Sequence, residues 1–283
     1  MLTPDEEDYI LQNAYVPEHV VGLMTYLSGG EPFLIDDHFC CRKEDWIIVV
    51  GYPLNRDYQE ATLVSVLEKV KKGFGPGSLW VIAPRLPLTF EKKWQERESD
   101  HYFTLDIKTD KVPRDLKRTL GKARNLVRIE RSRITGGAHR RLSQEFIERA
   151  KPHPRIKELL FRSLDYVGHS EKALVLNAWD KHNELSAFYV IDLSAQAFST
   201  YVIGCHSKKN YAPGASDLLL FETIQISAEM NKAYIHLGLG VNEGVRRFKD
   251  KWGGKPTLPY EMAGIALKRR SFLDLLVSFP FGR

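Results

Sequence analysis

A short segment near the C-terminus, GVNEGVRRFKDKWGGKP at residues 240–256, concentrates cationic and aromatic side chains. Its basic and aromatic members are Arg246, Arg247, Phe248, Lys249, Lys251 and Trp252. Clustered lysine and arginine side chains attract anions. The glycine pair that follows predicts the end of a helix. The segment therefore predicts a short helix that presents cationic and aromatic surface.

A second anion-attracting pattern lies in the loop GCHSKKNYAPGASDLLL at residues 204–220. This loop lies where a predicted strand ends and a predicted long helix begins, and the free N–H groups at a helix N-terminus attract anions. Lys208 and Lys209 would reinforce that attraction, and Ser216 or Asp217 is the predicted helix cap. The alternative is a surface loop in which the Pro-Gly pair only starts the helix.

Basic charge is concentrated in residues 111–141, which hold eleven Lys or Arg and two acidic residues. That segment carries a net +9, whereas the rest of the chain, with 30 basic and 34 acidic residues, carries −4. Pro113 suits a first helical turn, and apolar residues recur at helical spacing through Val127. A solvated helix face is the alternative to a binding surface. The residues predicted to bind a polyanion, such as tRNA or a nucleotide pyrophosphate, are Lys117, Arg118, Lys122, Arg124 and Arg128.

Two parts of the chain repeat one order of elements: strand, glycine-containing turn, helix and strand. The later copy has strands at 173–180, 184–193 and 197–204, then the long helix and the strand AYIHLGLG. The earlier copy has the strand DWIIVVGYP, the helix YQEATLVSVLEKVKKGF and the strand GSLWVIAP. This repeated order predicts a doubled α/β unit.

The join between the two halves is predicted within residues 143–166, which indicate two helices separated by the break Pro152-His153-Pro154. The resulting domains are residues 1–142, which include the basic helix, and residues 143–283. His153 is predicted to be a linker residue rather than a catalytic one.

Two motifs of the C-terminal half resemble a known family. NYAPGASDLLLFETIQISAEM followed by AYIHLGLGVNEGVRRFKDKWGG looks like the C-terminal part of the Fem-type (FemAB-like) transferases of the GCN5-related N-acyltransferase (GNAT) superfamily. The stretch ARNLVRIE resembles the family's Arg-rich stretch between its two acyltransferase-like halves. The resemblance covers about residues 111–262, with FKDKWGG as its most specific part. It implies an α/β (α+β) fold of tandem GNAT-like domains, each with a mixed, mostly antiparallel sheet flanked by helices.

The resemblance implies an N-acyltransferase or aminoacyltransferase that moves an acyl or aminoacyl group from charged tRNA or acyl-CoA to an amine. Lys249 matches the family's lysine that stabilises the carbonyl oxyanion, and Phe248 would border the acceptor end of the donor. The short cationic helix would then form one wall of an acyl-transfer site. The donor-binding residues would be Lys208, Lys209, Gly214, Ala215, Ser216 and Phe248.

Amine attack on an ester or thioester needs a proton acceptor within hydrogen-bond reach. Asp217, Glu222 and His236 lie near the inferred site in the sequence, and Tyr211 could donate a proton to the leaving group. His236 falls inside an apolar strand and is predicted to be packed there. Lys249, Glu222 and Tyr211 are the predicted catalytic residues, and a substrate-assisted route without a protein base is the alternative.

The chain departs from the superfamily at the loop that usually holds acyl-CoA. The usual pattern, Arg or Gln-x-x-Gly-x-Gly or Ala, is replaced by KKNYAPGAS. This argues against an ordinary acetyl-CoA enzyme, although a CoA pyrophosphate could still bind the two lysines and the helix N-terminus. The alternatives are a CoA-dependent enzyme that modifies a small amine or a protein, and a non-catalytic tRNA- or nucleotide-binding protein on a degenerate GNAT fold. The amine acceptor and the oligomeric state stay open.

Composition places the chain among ordinary globular proteins. Its 283 residues, 43% hydrophobic and 27% charged, suffice for about two domains with their own cores. No uncharged apolar run approaches the roughly 20 residues that cross a bilayer. The C-terminal SFLDLLVSFPFGR predicts a tail docked on the core, with a membrane-surface position as the alternative.

The cysteines and glycines argue against three other kinds of site. Cys40, Cys41 and Cys205 cannot all pair within the chain, which indicates a reducing compartment, and we predict the cytoplasm. Adjacent cysteines beside His38 lack the usual ligand spacing, so neither a metal nor a tightly bound cofactor is predicted. Gly-Leu-Gly at 238–240 lacks the third glycine of a dinucleotide site.

Overall fold

The computed structural model describes residues 2–107 and 113–267. The chain divides into two compact units: the first combines the residues up to Thr104 with those from Gly238 onward, and the second runs from Leu105 to Leu237. Within the described ranges, none of the helices has the length and apolar character that a bilayer crossing requires. The predicted docked tail, which begins at Ser271, lies outside the described residues.

The described chain contains runs of up to three strands, separated by one or two helices. The elements up to residue 106 are α1 (Pro4–Asn13), α2 (Val21–Ser28), β1 (Glu31–Ile35), β2 (His38–Lys43), β3 (Trp46–Val50), α3 (Glu60–Phe74), β4 (Ser78–Ala83) and β5 (Glu96–Asp106), with 3-10 turns at Pro17–His19 and Leu88–Lys93. The later elements are α4 (Arg114–Arg124), β6 (Val127–Ser132), α5 (Gly137–Ala150), α6 (Pro154–Val167), β7 (Ala173–Asp180), β8 (Leu185–Asp192), β9 (Phe198–His206), α7 (Ala215–Glu229), β10 (Tyr234–Leu239), α8 (Glu243–Lys251) and β11 (Lys255–Ala266).

The sheet of the first unit has the strand order β1-β2-β3-β4-β11-β5. Strands β3 and β4 are parallel, and the other neighbours are antiparallel. Because successive side chains of a strand face opposite sides of its sheet, β3 is buried on both faces. Ile47 and Val49 pack with α3 in one core, and Ile48 and Val50 pack with residues of α1 and α2 in another.

The helix α3 follows directly from its apolar spacing. Leu63, Val66, Leu67 and Val70 recur at intervals of three, one and three residues, so they share one helical face, and all four are fully buried. The helix ends at Gly75, which adopts a left-handed conformation and donates its N–H to the Lys71 carbonyl at 3.1 Å.

The sheet of the second unit has the order β10-β9-β8-β7-β6, with β9 and β10 parallel and the rest antiparallel. The helices α5 and α6 cover one face of this sheet. Their buried residues Leu142, Leu160 and Leu164 pack on Phe188 and Val190 of β8. The helix α7 packs on β7, β8 and β9, and α4 packs on α7.

Each unit contains one parallel strand pair with a helix between its strands, β3-α3-β4 in the first and β9-α7-β10 in the second. Parallel neighbours need such a crossover because a tight hairpin can join only antiparallel strands. The repeated order predicted from the sequence is therefore present, and so are the two mixed, mostly antiparallel sheets flanked by helices.

The basic segment contains a shorter helix than its spacing predicted. The helix α4 ends at Arg124, and Arg128 and Arg131, which were expected on that helix, lie on the strand β6. Val127 fits both the helical spacing and the alternation of a strand, but Val127 and Ile129 pair with Asp180 and Ala178 of β7. Strand pairing decides the conformation here, since every residue of β6 has a partner on β7.

The cap of α7 also differs from the expectation. Ser216 and Asp217 lie inside the helix, and Gly214 is the capping residue, with a φ of +80°. A Cβ atom at Gly214 would lie 3.0 Å from the Thr119 Cγ2 and 3.1 Å from the Ala123 Cβ of α4. Both the left-handed backbone and the close approach of α4 favour glycine at this position.

The compact units divide the chain at other places than the predicted boundary after residue 142. The strand β11 pairs with β4 on one side and β5 on the other, so the C-terminal segment belongs to the packed core of the first unit. A division into acyltransferase-like domains at residues 142 and 143 stays a prediction.

Candidate active site

Lys249 lies in the last turn of α8, the short cationic helix predicted from the sequence. The Asn242 side chain caps its N-terminus by accepting the Val245 N–H at 3.0 Å. Beyond its C-terminus, Gly253 has a φ of +82°, and the Gly254 N–H donates to the Lys249 carbonyl at 2.9 Å. As predicted, the two glycines end the helix.

The ammonium of Lys249 is buried, with 4% of the residue exposed. Its Nζ donates to the Leu239 carbonyl at 2.5 Å and lies 5.2 Å from the centre of the Phe103 ring. Burial lowers the pKa of Lys249 to about 8, and the Asp100 carboxylate partly opposes this shift. The residue is thus a cation in a water-poor environment that can lose its proton near neutral pH.

Asp100 on β5 joins that strand to the turn before α8. Its carboxylate accepts the N–H groups of His101 and Val241, each at 2.7 Å, and lies 3.2 Å from the Arg246 Nη2. Only 9% of the Asp100 side chain is exposed. These contacts fix the beginning of α8, and the helix in turn fixes the position of Lys249. No sequence pattern indicates this role, because a single aspartate in a strand has no distinguishing spacing.

Gly240 allows this turn to lie close to β5. A Cβ atom there would lie 2.6 Å from the Arg246 Nε and 2.8 Å from the Asp100 Oδ1. Gly238 has a φ of +71°, so the first glycine of Gly-Leu-Gly supplies a left-handed backbone. Both glycines therefore have structural roles in placing α8.

Phe248 precedes Lys249 on α8 and is half-buried. The Lys251 ammonium lies 5.9 Å from the centre of its ring. An ammonium over an aromatic face is attracted by the ring's quadrupole. Its predicted contact with the donor stays a prediction.

The other predicted catalytic residues, Glu222 and Tyr211, lie in the second unit, whereas Lys249 lies in the first. The Glu222 carboxylate accepts from the Arg131 Nε at 2.7 Å, and the same guanidinium also binds Glu229. Tyr211 is 61% exposed. The ion pair holds the Glu222 carboxylate against a cation, and the catalytic roles of Glu222 and Tyr211 stay predictions.

The two remaining proton acceptors considered from the sequence are buried. Asp217 lies in the first turn of α7 with 7% of its surface exposed. His236 is fully buried in β10, and its ring centre lies 5.7 Å from that of Phe198. His236 is thus a packed residue, as predicted, and His153 caps α6 by accepting the Arg155 N–H.

The predicted donor loop is folded around an internal carboxylate. Glu145 on α5 accepts the Ser207 hydroxyl at 2.9 Å and the Lys208 N–H at 2.5 Å. The side chains of both lysines are exposed. The remaining predicted members, Gly214, Ala215 and Ser216, form the cap and first turn of α7. Donor binding by this group stays a prediction.

The predicted polyanion-binding residues are all exposed in the second unit, but they differ in their contacts. Lys117, Arg118 and Lys122 lie on α4, whose buried face consists of Leu116, Leu120 and Ala123. The Arg124 guanidinium lies 5.6 Å from the centre of the Phe221 ring, and Arg128 lies 3.5 Å from Glu130. Polyanion binding by this surface stays a prediction.

The cysteines are buried and unreactive. Cys40, Cys41 and Cys205 are free thiols, and burial raises the pKa of both Cys41 and Cys205 to about 12. Across residues 2–107 and 113–267, no group of three or more His, Cys, Asp or Glu side chains is arranged to hold a metal ion.

Neither a protein-family model nor a curated protein matches this chain. Solved structures do match it. FemX aligns with 92% of this chain and 96% of its own, with a TM-score of 0.63 and 11% identity. L-PGS from Bacillus licheniformis aligns with 99% of this chain and 98% of its own, with a TM-score of 0.58 and 16% identity. A tandem GNAT protein from the clavulanic acid biosynthesis pathway aligns with 83% and 79%, with a TM-score of 0.51 and 10% identity.

The chain has the tandem GNAT fold of the Fem-like transferases. This confirms the fold that the two C-terminal motifs implied. Identities of 10–16% show the fold alone, so the activity must be argued from the site.

Proposed function

We propose that this protein is an acyltransferase that moves an aminoacyl group from charged tRNA to an amine, with Lys249 stabilising the carbonyl oxyanion. The observation that carries the proposal is the buried ammonium of Lys249 at the end of α8. Its position matches the lysine of the Fem-type motif. The similarity of the fold to FemX and L-PGS supports the same class of reaction.

In this reaction, the amine nitrogen attacks the ester carbonyl carbon of the aminoacyl-tRNA. The carbonyl oxygen gains negative charge, the ester C–O bond then breaks, and a proton passes from the amine to the departing tRNA hydroxyl. An ammonium has three N–H donors, so Lys249 can hold the Leu239 carbonyl and still donate to the substrate oxygen. A buried cation stabilises the forming oxyanion more strongly than an exposed one, because the surrounding dielectric is low.

The charged-tRNA donor is supported by the exposed basic residues of α4. Lys117, Arg118 and Lys122 could contact backbone phosphates, and such contacts supply affinity without sequence information. An acyl-CoA donor is the alternative, since the fold is shared with the tandem GNAT protein, whose structure was solved without AcCoA. The amine acceptor is not identified by any feature of the site.

A non-catalytic tRNA-binding protein is the second candidate function. The observation that favours it is the ion pair between Glu222 and Arg131, which holds the predicted base against a guanidinium. Under this alternative, tRNA would bind to the basic surface without being deacylated.

The test compares wild type with Lys249→Met and with Lys72→Met, a control at an exposed lysine on α3 of the same unit. Tritiated aminoacyl-tRNAs are presented with a panel of amines that includes aminoalkyl lipids and short peptides. Loss of an oxyanion donor should lower kcat by about 10²–10³-fold in the Lys249 variant and leave the control unchanged. Full turnover in the Lys249 variant would remove the mechanism. tRNA binding without turnover in wild type would support the second candidate.

The cytoplasm is the proposed compartment. The three free, buried thiols support a reducing environment.

A further inference from the structure

The loop between β9 and α7 has the chemistry of an anion site. The backbone N–H of Lys208 and the hydroxyl of Ser207 both donate to one carboxylate, that of Glu145. The Ser207 Oγ also accepts the Asn210 N–H at 2.9 Å, which fixes the curvature of the loop. Converging donors of this kind form an anion-binding concavity, as they do in phosphate sites.

The anion in this concavity belongs to the protein itself. Glu145 projects from the middle of α5, with 20% of its side chain exposed, and its Oε1 also lies 3.6 Å from the Arg149 Nη1. Burial alone would raise the pKa of Glu145. The hydrogen bonds from the Lys208 N–H and the Ser207 hydroxyl, together with the nearby Lys209 backbone and the Arg149 guanidinium, lower the pKa overall. The carboxylate is therefore held in its charged form.

We propose that Glu145 is a built-in anion that fills this loop and excludes the pyrophosphate of CoA from it. This proposal deepens the proposed function. It rests on that function in one respect only, namely that CoA-linked donors are the ones the loop rejects. A phosphate entering the loop would meet a carboxylate of like charge, and it would find the Lys208 N–H and the Ser207 hydroxyl already bound. Repulsion of the wrong ligand by an unfavourable charge is a common source of specificity.

The proposal accounts for two features of the loop. The side chains of Lys208 and Lys209 are exposed, and the backbone N–H of Lys208 is bound to Glu145. The loop lacks the usual acyl-CoA pattern, and its sequence KKNYAPGAS folds back on α5. A loop N–H that could bind a separate anion, that of Lys208, instead joins the loop to Glu145 of α5.

The experiment removes the internal anion and supplies a soluble one. Wild type is compared with Glu145→Ala, Glu145→Gln and the matched control Glu148→Ala, which changes an exposed carboxylate one turn along α5. Thermal unfolding is followed while sodium pyrophosphate is titrated at constant ionic strength. CoA is titrated in a parallel series.

In Glu145→Ala, the Lys208 N–H and the Ser207 hydroxyl lose their acceptor, so its melting temperature should fall and then rise saturably with pyrophosphate. We expect this variant to bind pyrophosphate at least about tenfold more tightly than wild type or Glu148→Ala. Glu145→Gln keeps the shape of the side chain and removes its charge. It should also bind pyrophosphate more tightly than wild type, so it carries the test if the alanine variant does not fold.

Two results would overturn the proposal. One is an identical response to pyrophosphate in wild type and in both Glu145 variants. The other is binding of CoA by wild type that is as tight as binding by the Glu145 variants. Neither measurement depends on Lys249 or on turnover, so a failure of the proposed acyl transfer would leave the result on Glu145 unaffected.

Discussion

Replacing Lys249 with methionine should change the pH dependence of stability in a defined direction. The folded protein lowers the pKa of this lysine from 10.5 to about 8, chiefly through burial. Between these two values the unfolded chain binds a proton at this position and the folded chain does not. Stability therefore rises with pH in that window, because the slope follows the excess of protons bound by the unfolded state. Methionine has no proton to lose and lacks this contribution.

The size of the effect follows from the same pKa values. At about 1.4 kcal/mol per pH unit, the whole lowering of the pKa from 10.5 to about 8 corresponds to about 3.5 kcal/mol. Between pH 7 and pH 10, wild type should gain about 2.5 kcal/mol in free energy of unfolding relative to Lys249→Met. Below pH 7 the difference between the two proteins should be constant, since the lysine is protonated in both states.

The assay is urea unfolding at pH 7, 8, 9 and 10, followed by tryptophan fluorescence. Trp46, Trp80 and Trp252 are buried in the unit that contains Lys249, so their emission reports on the relevant core. Lys251→Met, on the exposed side of α8, is the control and should follow wild type. A difference between wild type and Lys249→Met that stays constant from pH 7 to pH 10 would show that the ammonium is not desolvated.

Three further predictions concern the surroundings of the site, the sheet and the basic surface. Asp100→Asn should cost about 1–3 kcal/mol, because one amide oxygen cannot accept both backbone N–H groups. It should also move the alkaline loss of acyl transfer to lower pH, since the carboxylate raises the pKa of the buried ammonium; an unchanged pH–rate profile would contradict this. Gly264→Ala should destabilise the protein by about 1–3 kcal/mol in urea unfolding, because its Cβ would lie 2.6 Å from the Trp80 ring. Gly121→Ala, in the open interior of α4, should instead stabilise the protein by up to about 1 kcal/mol. Arg118→Ala should reduce the salt dependence of tRNA binding by about one counterion, while Lys72→Ala on α3 should leave it unchanged; equal slopes would remove the basic surface from the proposal.

Local patterns predicted most elements of the fold. The strands β7, β8 and β9 can be predicted from the sequence because their runs of apolar and β-branched residues end at turns. The helix α3 was readable because its apolar residues recur at helical spacing. The repeated order of elements followed from these local assignments. Residue spacing alone fails around Val127, because pairing with β7 ends the helix that the spacing predicts to continue.

Contacts between residues that are far apart in the sequence could not be predicted from local patterns. No local pattern indicates that β11 lies between β4 and β5, or that Glu145 binds a loop more than sixty residues away. Lys249 was found through a family motif rather than through periodicity, because a buried lysine opposes the usual apolar pattern of a buried helix face. The position of Asp100 at the start of α8 could be seen only in the structure.

The discontinuity of the first unit has a consequence for the newly made chain on the ribosome. β4 and β5 are both synthesised before residue 107, but their common neighbour β11 is translated only after the whole second unit. Until then, β4, whose six residues are all buried in the finished protein, has an open edge that can pair with other chains. The second unit is one uninterrupted segment and can fold first. The segment that follows the second unit thus brings both the strand that closes this edge and the lysine proposed for catalysis.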